Sequence, residues 1–335
     1  MTQASSQSRV PRWLALGGKG AISGLLLWIL FRRMDPERMA DALAQIRWEF
    51  FLLALALYLS GQLLSALRWQ VLLRPLGLAV SYARLVALYL LGMFFNFFLP
   101  TVIGGDAVKA YYLARETQDS VRALASVFMD RNTGLGALLL IAFGAAAIGH
   151  VSLSERALVV PLGGVLLVYL LLNLLLFAEA PYRACLWLLR VVRLRSAVGV
   201  VTRAHAALVA YRSSPASIGK ALGLSFVFHL LLIGLNYANA RALGVALDIL
   251  ALSVFIPIIS LLSMLPITMY GLGVREYAFV VLFSSVGLPR EASLLLALLW
   301  FLVTLLASVP GAFLYVAYRS RPRHGDDRAE GRFTG

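Results

Sequence analysis

Four cationic side chains lie inside or directly beside long apolar runs of this 335-residue sequence: Arg68, Lys109, Arg131 and Arg275. A charge at the centre of a bilayer costs about 2.5 to 3.5 kcal/mol on insertion scales, so each of these residues needs a partner or a ligand. Arginine captures phosphate oxygens in bidentate geometry and lysine binds them as a point charge. These four residues therefore indicate the binding of a phosphate group.

Acidic residues lie close to two of these cations in the chain. Asp106 lies three residues before Lys109, and Glu276 directly follows Arg275. Internal ion pairs would neutralise the cations, whereas a bound phosphate would compete with the carboxylates for the same N–H groups. At Lys109 and Arg275, phosphate contact and a purely structural ion pair both remain open, with anchoring at the membrane surface as a third alternative.

The other two cations have different neighbours. Asp130 and Arg131 are adjacent, and we predict that they form a structural pair at the cytoplasmic end of a helix. Arg68 is followed by Trp69, a residue type that is enriched at membrane interfaces. Arg68 therefore either belongs to a buried site or extends its charge to the interface.

Lys109 and Arg275 occupy equivalent positions in two related helix-breaking motifs. The template P-x4-G-x3-[KR]-x-Y begins at Pro100 and again at Pro266, and a given proline would match it by chance about 3 times in 10,000. We therefore predict an internal duplication. Paired Pro/Gly interruptions of this kind mark discontinuous helices whose ends meet around a substrate in transporters. The alternative is a pair of turns at the membrane surface.

The elements that position these residues are predicted to be membrane helices. The chain is 61% hydrophobic and only 14% charged, which excludes a soluble globular fold. Leu- and Ala-rich continuous runs favour an all-α polytopic protein over a barrel, whose strands alternate in polarity. We expect about 8 to 9 helical segments, with two broken or re-entrant Pro/Gly elements. The segments are residues 20–31, 48–67, 85–99, 134–149, 159–177, 221–240, 249–265, 277–286 and 292–318.

Charge counting predicts the orientation of the chain. If all nine segments cross, 21 of the 30 Lys and Arg residues lie on the side of the C-terminus, which we therefore place in the cytoplasm. If residues 85–99 instead dip in and return, everything before them inverts. Residues 183–212 alternate arginines with aliphatic side chains, which favours a helix in the headgroup layer over a solvated connection.

Several other chemistries lack support in the sequence. The single cysteine, Cys185, excludes an internal disulfide, and the four histidines are too scattered for metal-ligand spacing. No nucleotide-binding, zinc-protease or serine-hydrolase motif occurs. We expect no catalytic residue, cofactor, metal or nucleic-acid partner. His229 and Asn236 share one helix face, where they either pack helices together by hydrogen bonds or take part in a proton relay.

Three local patterns together resemble the transmembrane region of lysylphosphatidylglycerol synthases, also described as flippase-like membrane proteins. They are Ala66-Leu67-Arg68-Trp69 with the following Leu72-Leu73 and Gly77, the segment 96–109 with its P-x3-G-G-[DE] core, and the segment 266–276 with its G-x-G-x-R-E core. The resemblance covers residues 21–318. It implies a transporter in a bacterial-type inner membrane that binds or moves an anionic phospholipid or a lipid-linked headgroup.

Larger members of that family carry a soluble aminoacyl-transferase domain after the membrane part. We expect no such domain here, so the resemblance implies lipid translocation and not aminoacyl transfer. We expect an N-terminal tail (1–12), a flippase-like domain (13–318) and a disordered tail (319–335). Alternatives are an enzyme that modifies lipid headgroups, with Asp106 or Glu276 as base, and an accessory subunit of a separate transferase. The candidate substrate-binding residues are Arg68, Asn96, Pro100, Gly104, Gly105, Asp106, Lys109, Pro266, Gly271, Gly273, Arg275 and Glu276.

Overall fold

A computed structural model describes residues 12–32, 34–99, 104–148, 153–265 and 267–319, and no strand occurs among them. Pro100, Pro266, residues 1–11 and the predicted tail after Arg319 lie outside the described residues. The helices are α1 (Arg12–Phe31), α2 (Pro36–Ala44), α3 (Trp48–Leu73), α4 (Tyr82–Phe98), α5 (Gly104–Thr117), α6 (Ser120–Ile148), α7 (Leu153–Phe177), α8 (Glu179–Val191), α9 (Arg195–Arg212), α10 (Pro215–Ala242), α11 (Ile249–Met264), α12 (Val274–Ser284) and α13 (Arg290–Arg319).

Five of the described helices are long and apolar enough to cross a bilayer, which requires about 20 residues at 1.5 Å of rise per residue. The prediction of an all-α, multi-pass membrane protein is confirmed. Helices α4 and α11 are apolar but shorter, at 17 and 16 residues. The candidate spans are Trp48–Leu76, Ser120–Ile148, Val159–Phe177, Pro215–Ala242 and Arg290–Val316.

Helices α4 and α5 form an antiparallel hairpin. Near its tip the Gly105 N–H donates to Asn96 Oδ1 at 2.7 Å, and near its open end Arg84 Nε pairs with Glu116 Oε2 at 2.7 Å. Both arms are shorter than a span, and the chain leaves the hairpin at the end where it entered. The two described helices on either side of Pro100 therefore form the arms of a re-entrant hairpin.

Helices α11 and α12 form a second hairpin of the same kind. The Phe255 and Phe283 rings, 5.4 Å apart, pack the two arms near the open end. At the tip the backbone turns through positive φ at Tyr270 (52°), Gly271 (71°) and Gly273 (88°). Glycine adopts this conformation without steric cost, which explains two of the three residue types there.

The two hairpins belong to an inverted repeat. Helices α4 and α11 end at Phe98 and Met264, which are 166 positions apart, as are Pro100 and Pro266. Each hairpin lies between two long helices, α3 and α6 in the first half and α10 and α13 in the second. Helices α3 and α10 pack antiparallel. The Arg47 N–H, at the start of α3, donates to the Ala242 carbonyl oxygen, at the end of α10, at 2.9 Å. The order of helices is therefore the same in the two halves, and α3 and α10 run in opposite directions, as an inverted repeat requires.

The Arg-rich segment differs from the prediction of one interfacial helix over 183–212. It forms two helices, α8 and α9, because the backbone of Arg193 turns at φ 60°. The rings of Tyr182 and His205 stack at 3.8 Å and hold the two helices together. Helix α9 is fixed to the bundle through Tyr211, whose hydroxyl donates to the Leu72 carbonyl at 2.9 Å.

The re-entrant hairpins predict which connections share a side of the membrane. In a Cys185→Ser background, Ala79→Cys and Ser120→Cys should react with an impermeant maleimide from one side, because α4 and α5 return to their starting point. Ala246→Cys and Ser285→Cys should react from the opposite side. Labelling of the first pair from opposite sides would show that α4 crosses the bilayer and would contradict the hairpin.

Candidate functional site

A cavity of about 280 Å³ lies where the two hairpins meet the long helices. Its wall combines residues of α3, α4, α5, α6, α10, α11, α12 and α13 with Tyr270 of the second tip. The charged and polar groups in this wall come from positions that are far apart in the sequence. Six of the predicted site residues line it, namely Arg68, Asn96, Gly105, Asp106, Lys109 and Arg275.

The tips of the two hairpins touch each other beside this cavity. The centroid of the Phe97 ring, at the end of α4, lies 4.3 Å from the centroid of the Tyr270 ring in the second tip. Phe301 of α13 packs against Phe97 at 5.8 Å and lies 5.3 Å from the Arg275 guanidinium. The two helix-breaking motifs therefore converge on one site, and they bring Lys109 and Arg275 into the same wall.

Two buried carboxylates hold the cations of the first half. Lys109 Nζ lies 2.9 Å from Asp106 Oδ1 and 3.7 Å from Asp130 Oδ2. Arg68 Nε donates to Asp130 Oδ1 at 2.7 Å, and the Tyr89 hydroxyl donates to the other oxygen of the same carboxylate. Buried charges of this kind are stabilised only when they are paired and hydrogen-bonded, as they are here.

The predicted pair between Asp130 and Arg131 was wrong. Asp130 pairs with Arg68 and Lys109, whereas Arg131 pairs with Asp106. Consecutive residues of a helix point about 100° apart, so each of the two reaches a different neighbour. Both line the cavity, about three turns into α6 and away from the helix end where the sequence placed them.

The second hairpin fixes Arg275 through the residue beside it. Arg275 Nε and Nη2 donate to Glu276 Oε1 at 3.0 and 2.5 Å, and Glu276 Oε2 accepts the Gly273 N–H at 2.6 Å. Glu276 is fully buried behind the cavity wall and caps the first turn of α12. A guanidinium carries five N–H groups, so Arg275 can bind a further acceptor while it remains paired.

Close packing of α4 on α5 places Lys109 in the wall. A Cβ added at Gly92 would lie 3.0 Å from the Gly105 carbonyl oxygen and 3.1 Å from Lys109 Cγ. A Cβ at Gly105 would overlap the Gly92 carbonyl. The two glycines therefore let the helix backbones approach, and the ammonium group of Lys109 comes to lie 3.9 Å from the centre of the Tyr89 ring.

Four other predicted site residues shape the hairpins without lining the cavity. Gly104 packs on Leu99, Gly271 and Gly273 form the second tip, and Glu276 holds that tip together. Pro100 and Pro266 lie outside the described residues.

Sequence reasoning missed part of the polar wall. Gln62 and Ser65 line the cavity together with Arg68, and their spacing of three residues places all three on one face of α3. That periodicity was the available signal. Tyr58, Tyr89 and Tyr270 also line the wall, and nothing in the local sequence distinguished them from aromatic residues that face lipid. His229, for which the sequence suggested helix packing or a proton relay, also lines the wall, with Nε2 3.0 Å from the Gly134 carbonyl oxygen.

The electrostatic balance of the site favours an anion. Four cations line the cavity, and among the described residues three carboxylates form salt bridges with them: Asp106, Asp130 and Glu276. The excess of one positive charge lies in a wall that also carries hydroxyl and amide donors. Such a set can bind a phosphate through charge-assisted hydrogen bonds without breaking every internal pair.

Comparison with known proteins agrees with this architecture. The family model described as the lysylphosphatidylglycerol synthase TM region matches residues 18–311. The chain belongs to this family. Both hairpins lie inside the matched range, as do α3, α6, α10 and α13 up to residue 311.

Relatives of this family member occur in archaea. A UPF0104 membrane protein of Methanothermobacter thermautotrophicus is 25% identical over 295 residues, which cover 82% of this chain and 86% of the relative. A UPF0104 membrane protein of Pyrococcus horikoshii is 27% identical over 177 residues, covering 50% of this chain and 52% of the relative. The names of these relatives describe membrane proteins and state no activity.

Proposed function

We propose that this protein binds the anionic headgroup of a phospholipid or lipid-linked molecule in the cavity and moves it across the membrane. The observation that carries the proposal is the convergence of four cations from both repeats on one cavity within a bundle of membrane helices. A headgroup needs a polar path through the bilayer, whereas acyl chains can remain in lipid. No covalent step is required for such a transfer.

The inverted repeat supports transport over a static binding role. Many transporters place their substrate between oppositely oriented repeats, with broken helices at the site, and expose it alternately to the two sides. Here the two hairpin tips meet beside the cavity through Phe97 and Tyr270. We further propose that the C-terminus and the Arg-rich helices α8 and α9 face the cytoplasm, because positive charge collects there.

The proposal is tested in proteoliposomes with fluorescent phospholipids and an impermeant reductant that bleaches the outer leaflet. We expect the purified protein to move an anionic probe from the inner to the outer leaflet, so that the reductant bleaches more fluorescence than in protein-free vesicles. The additional bleaching of a zwitterionic probe should be smaller. If no probe is bleached beyond the protein-free level in folded protein, transport is excluded. Mass analysis of the recovered lipids then reveals any headgroup modification, which the enzymatic alternative requires.

Removing single charges should separate a role in lipid binding from a role in folding. Lys109→Gln and Arg275→Gln keep a side-chain N–H that can donate to Asp106 or Glu276 but remove the positive charge. We expect each variant to fold and to lose at least about tenfold in translocation rate, which is about 1.4 kcal/mol of transition-state binding. Arg203→Gln on the exposed face of α9 is the matched control and should keep the wild-type rate. Wild-type rates in both cavity variants would exclude these cations from the mechanism.

A further inference from the structure

A second, apolar cavity of about 240 Å³ lies beside the charged one. Helix α3 contributes Leu59 and Leu63, α4 contributes Val86 and Leu90, and α13 contributes Pro310. No polar atom of the wall faces this space. We refer to it as the side groove.

The side groove and the charged cavity share two wall residues, Gln62 and Tyr89. The hydroxyl of Tyr89 donates to Asp130 in the charged cavity, so that end of the side chain faces the charges while the ring forms part of the apolar wall. Gln62 is 9% exposed and lies at the same boundary, where its amide offers hydrogen-bond donors. The two spaces are therefore neighbours with a polar boundary between them.

The outer wall of the side groove belongs to the surface that faces the bilayer. Leu63 lies near the middle of α3 and is 47% exposed, and Pro310 of α13 is also exposed. Both helices are candidate membrane spans. Apolar surface at this depth contacts hydrocarbon, so the groove is accessible to lipid tails from the side.

We propose that the side groove holds one acyl chain of the lipid whose headgroup occupies the charged cavity. This inference rests on the proposed function and extends it: the transported ligand is a lipid with its chain attached. A water-soluble phosphate ester would occupy the charged cavity alone and leave the side groove unfilled. The phosphate lies among the cations, the ester region lies at Gln62 and Tyr89, and the chain leaves between α3, α4 and α13. Each part of the lipid thereby meets a wall of matching polarity.

The decisive experiment uses a phosphatidylglycerol with a diazirine in the middle of one acyl chain, in phosphatidylcholine proteoliposomes that contain the wild-type protein. After irradiation, peptide mass analysis should find adducts concentrated at residues 59–63 and 86–90. A phosphatidylcholine with the same labelled chain should give at least severalfold less adduct there. Equal adduct yields along the whole lipid-facing surface, or equal yields for both lipids, would overturn the proposal.

A variant pair tests the groove itself. Val86→Trp fills the groove and should lower the yield of phosphatidylglycerol adducts on α3 at least about tenfold, whereas Leu52→Trp, an equally large change at an exposed site on α3, should leave it unchanged. An unchanged yield in Val86→Trp would also overturn the proposal. The adduct map of the wild-type protein decides the question if Val86→Trp fails to fold.

Binding of glycerol phosphate, which has no acyl chain, separates this inference from the proposed function. By titration calorimetry, Val86→Trp should retain wild-type affinity for glycerol phosphate and Arg275→Gln should lose it. If Arg275→Gln loses affinity for glycerol phosphate but no groove-specific adduct forms, the proposed headgroup site stands and the proposed acyl-chain groove is rejected. Groove-specific adducts in a protein whose glycerol phosphate affinity is unchanged by Arg275→Gln would instead reject the proposed headgroup site.

Discussion

Asp130→Ala should lower the free energy of unfolding by about 3 to 5 kcal/mol, because the substitution leaves buried cations without their carboxylate. Asp130 is 2% exposed and accepts from Arg68 and Tyr89, with Lys109 3.7 Å away. Lys109 keeps Asp106, but the partners that Arg68 keeps among the described residues are neutral: the Ser225 hydroxyl at 3.0 Å and the Phe228 ring. The measurement is the apparent melting temperature of the purified protein in detergent, together with the monodisperse fraction on size exclusion.

Two further variants identify the cause of that loss. Asp130→Asn keeps an oxygen that can accept from Arg68 but removes the charge, so it should be intermediate. Glu179→Ala removes the carboxylate of an ion pair with Arg183 on the surface of α8, where both side chains are more than half exposed. Exposed pairs contribute about 0 to 1 kcal/mol, so this control should melt close to wild type. If Asp130→Ala loses no more than Glu179→Ala, the buried network does not stabilise the fold as described.

Whether an ion pair could be predicted depended on how far apart its two residues lie in the sequence. Asp106 and Lys109 are one helical turn apart, and Glu276 directly follows Arg275, so both pairs were visible in the chain. Arg68 and Asp130 are 62 residues apart, and they meet only because the packing of α3 against α6 sets the relative register of the two helices. Local spacing contains no information on that register. It favoured the adjacent Arg131 as the partner of Asp130, which was wrong.

The repeat was predictable in its spacing but not in its local backbone. In the first copy Gly105 lies inside α5, where it allows close packing on α4. In the second copy Gly271 lies in a 3₁₀ turn at φ 71°, and α12 begins only at Val274. The same template position therefore requires glycine for two different reasons: close helix packing in the first copy and a positive φ in the second. Hydropathy likewise could not decide whether α4 crosses, because a largely apolar helix of 17 residues suits a short span in a locally thinned bilayer or a hairpin arm equally well.

The second large effect is expected at the contact between the hairpin arms. Gly105→Ala places a methyl group against the Gly92 carbonyl and 2.7 Å from Asn96 Oδ1, the acceptor of the Gly105 N–H. Overpacking of this kind costs about 1 to 3 kcal/mol, and here neither backbone can move without displacing the other arm. We expect a lower melting temperature and a loss of lipid translocation, because Lys109 lies one turn further along α5.

Gly223→Ala in α10 provides the matched control, since no atom of a neighbouring helix lies within 4 Å of the added methyl group. Alanine in a helix is favoured over glycine by about 0.5 to 1 kcal/mol, so this variant should melt at or slightly above the wild-type temperature. The same substitution thus has opposite expected effects at the two sites, because a second helix packs closely against Gly105 and none does so against Gly223. Equal melting temperatures for Gly105→Ala and Gly223→Ala would mean that α4 and α5 do not approach at Gly92. Lys109 would then lack the close support that places it beside Tyr89 and in the same cavity as Arg275.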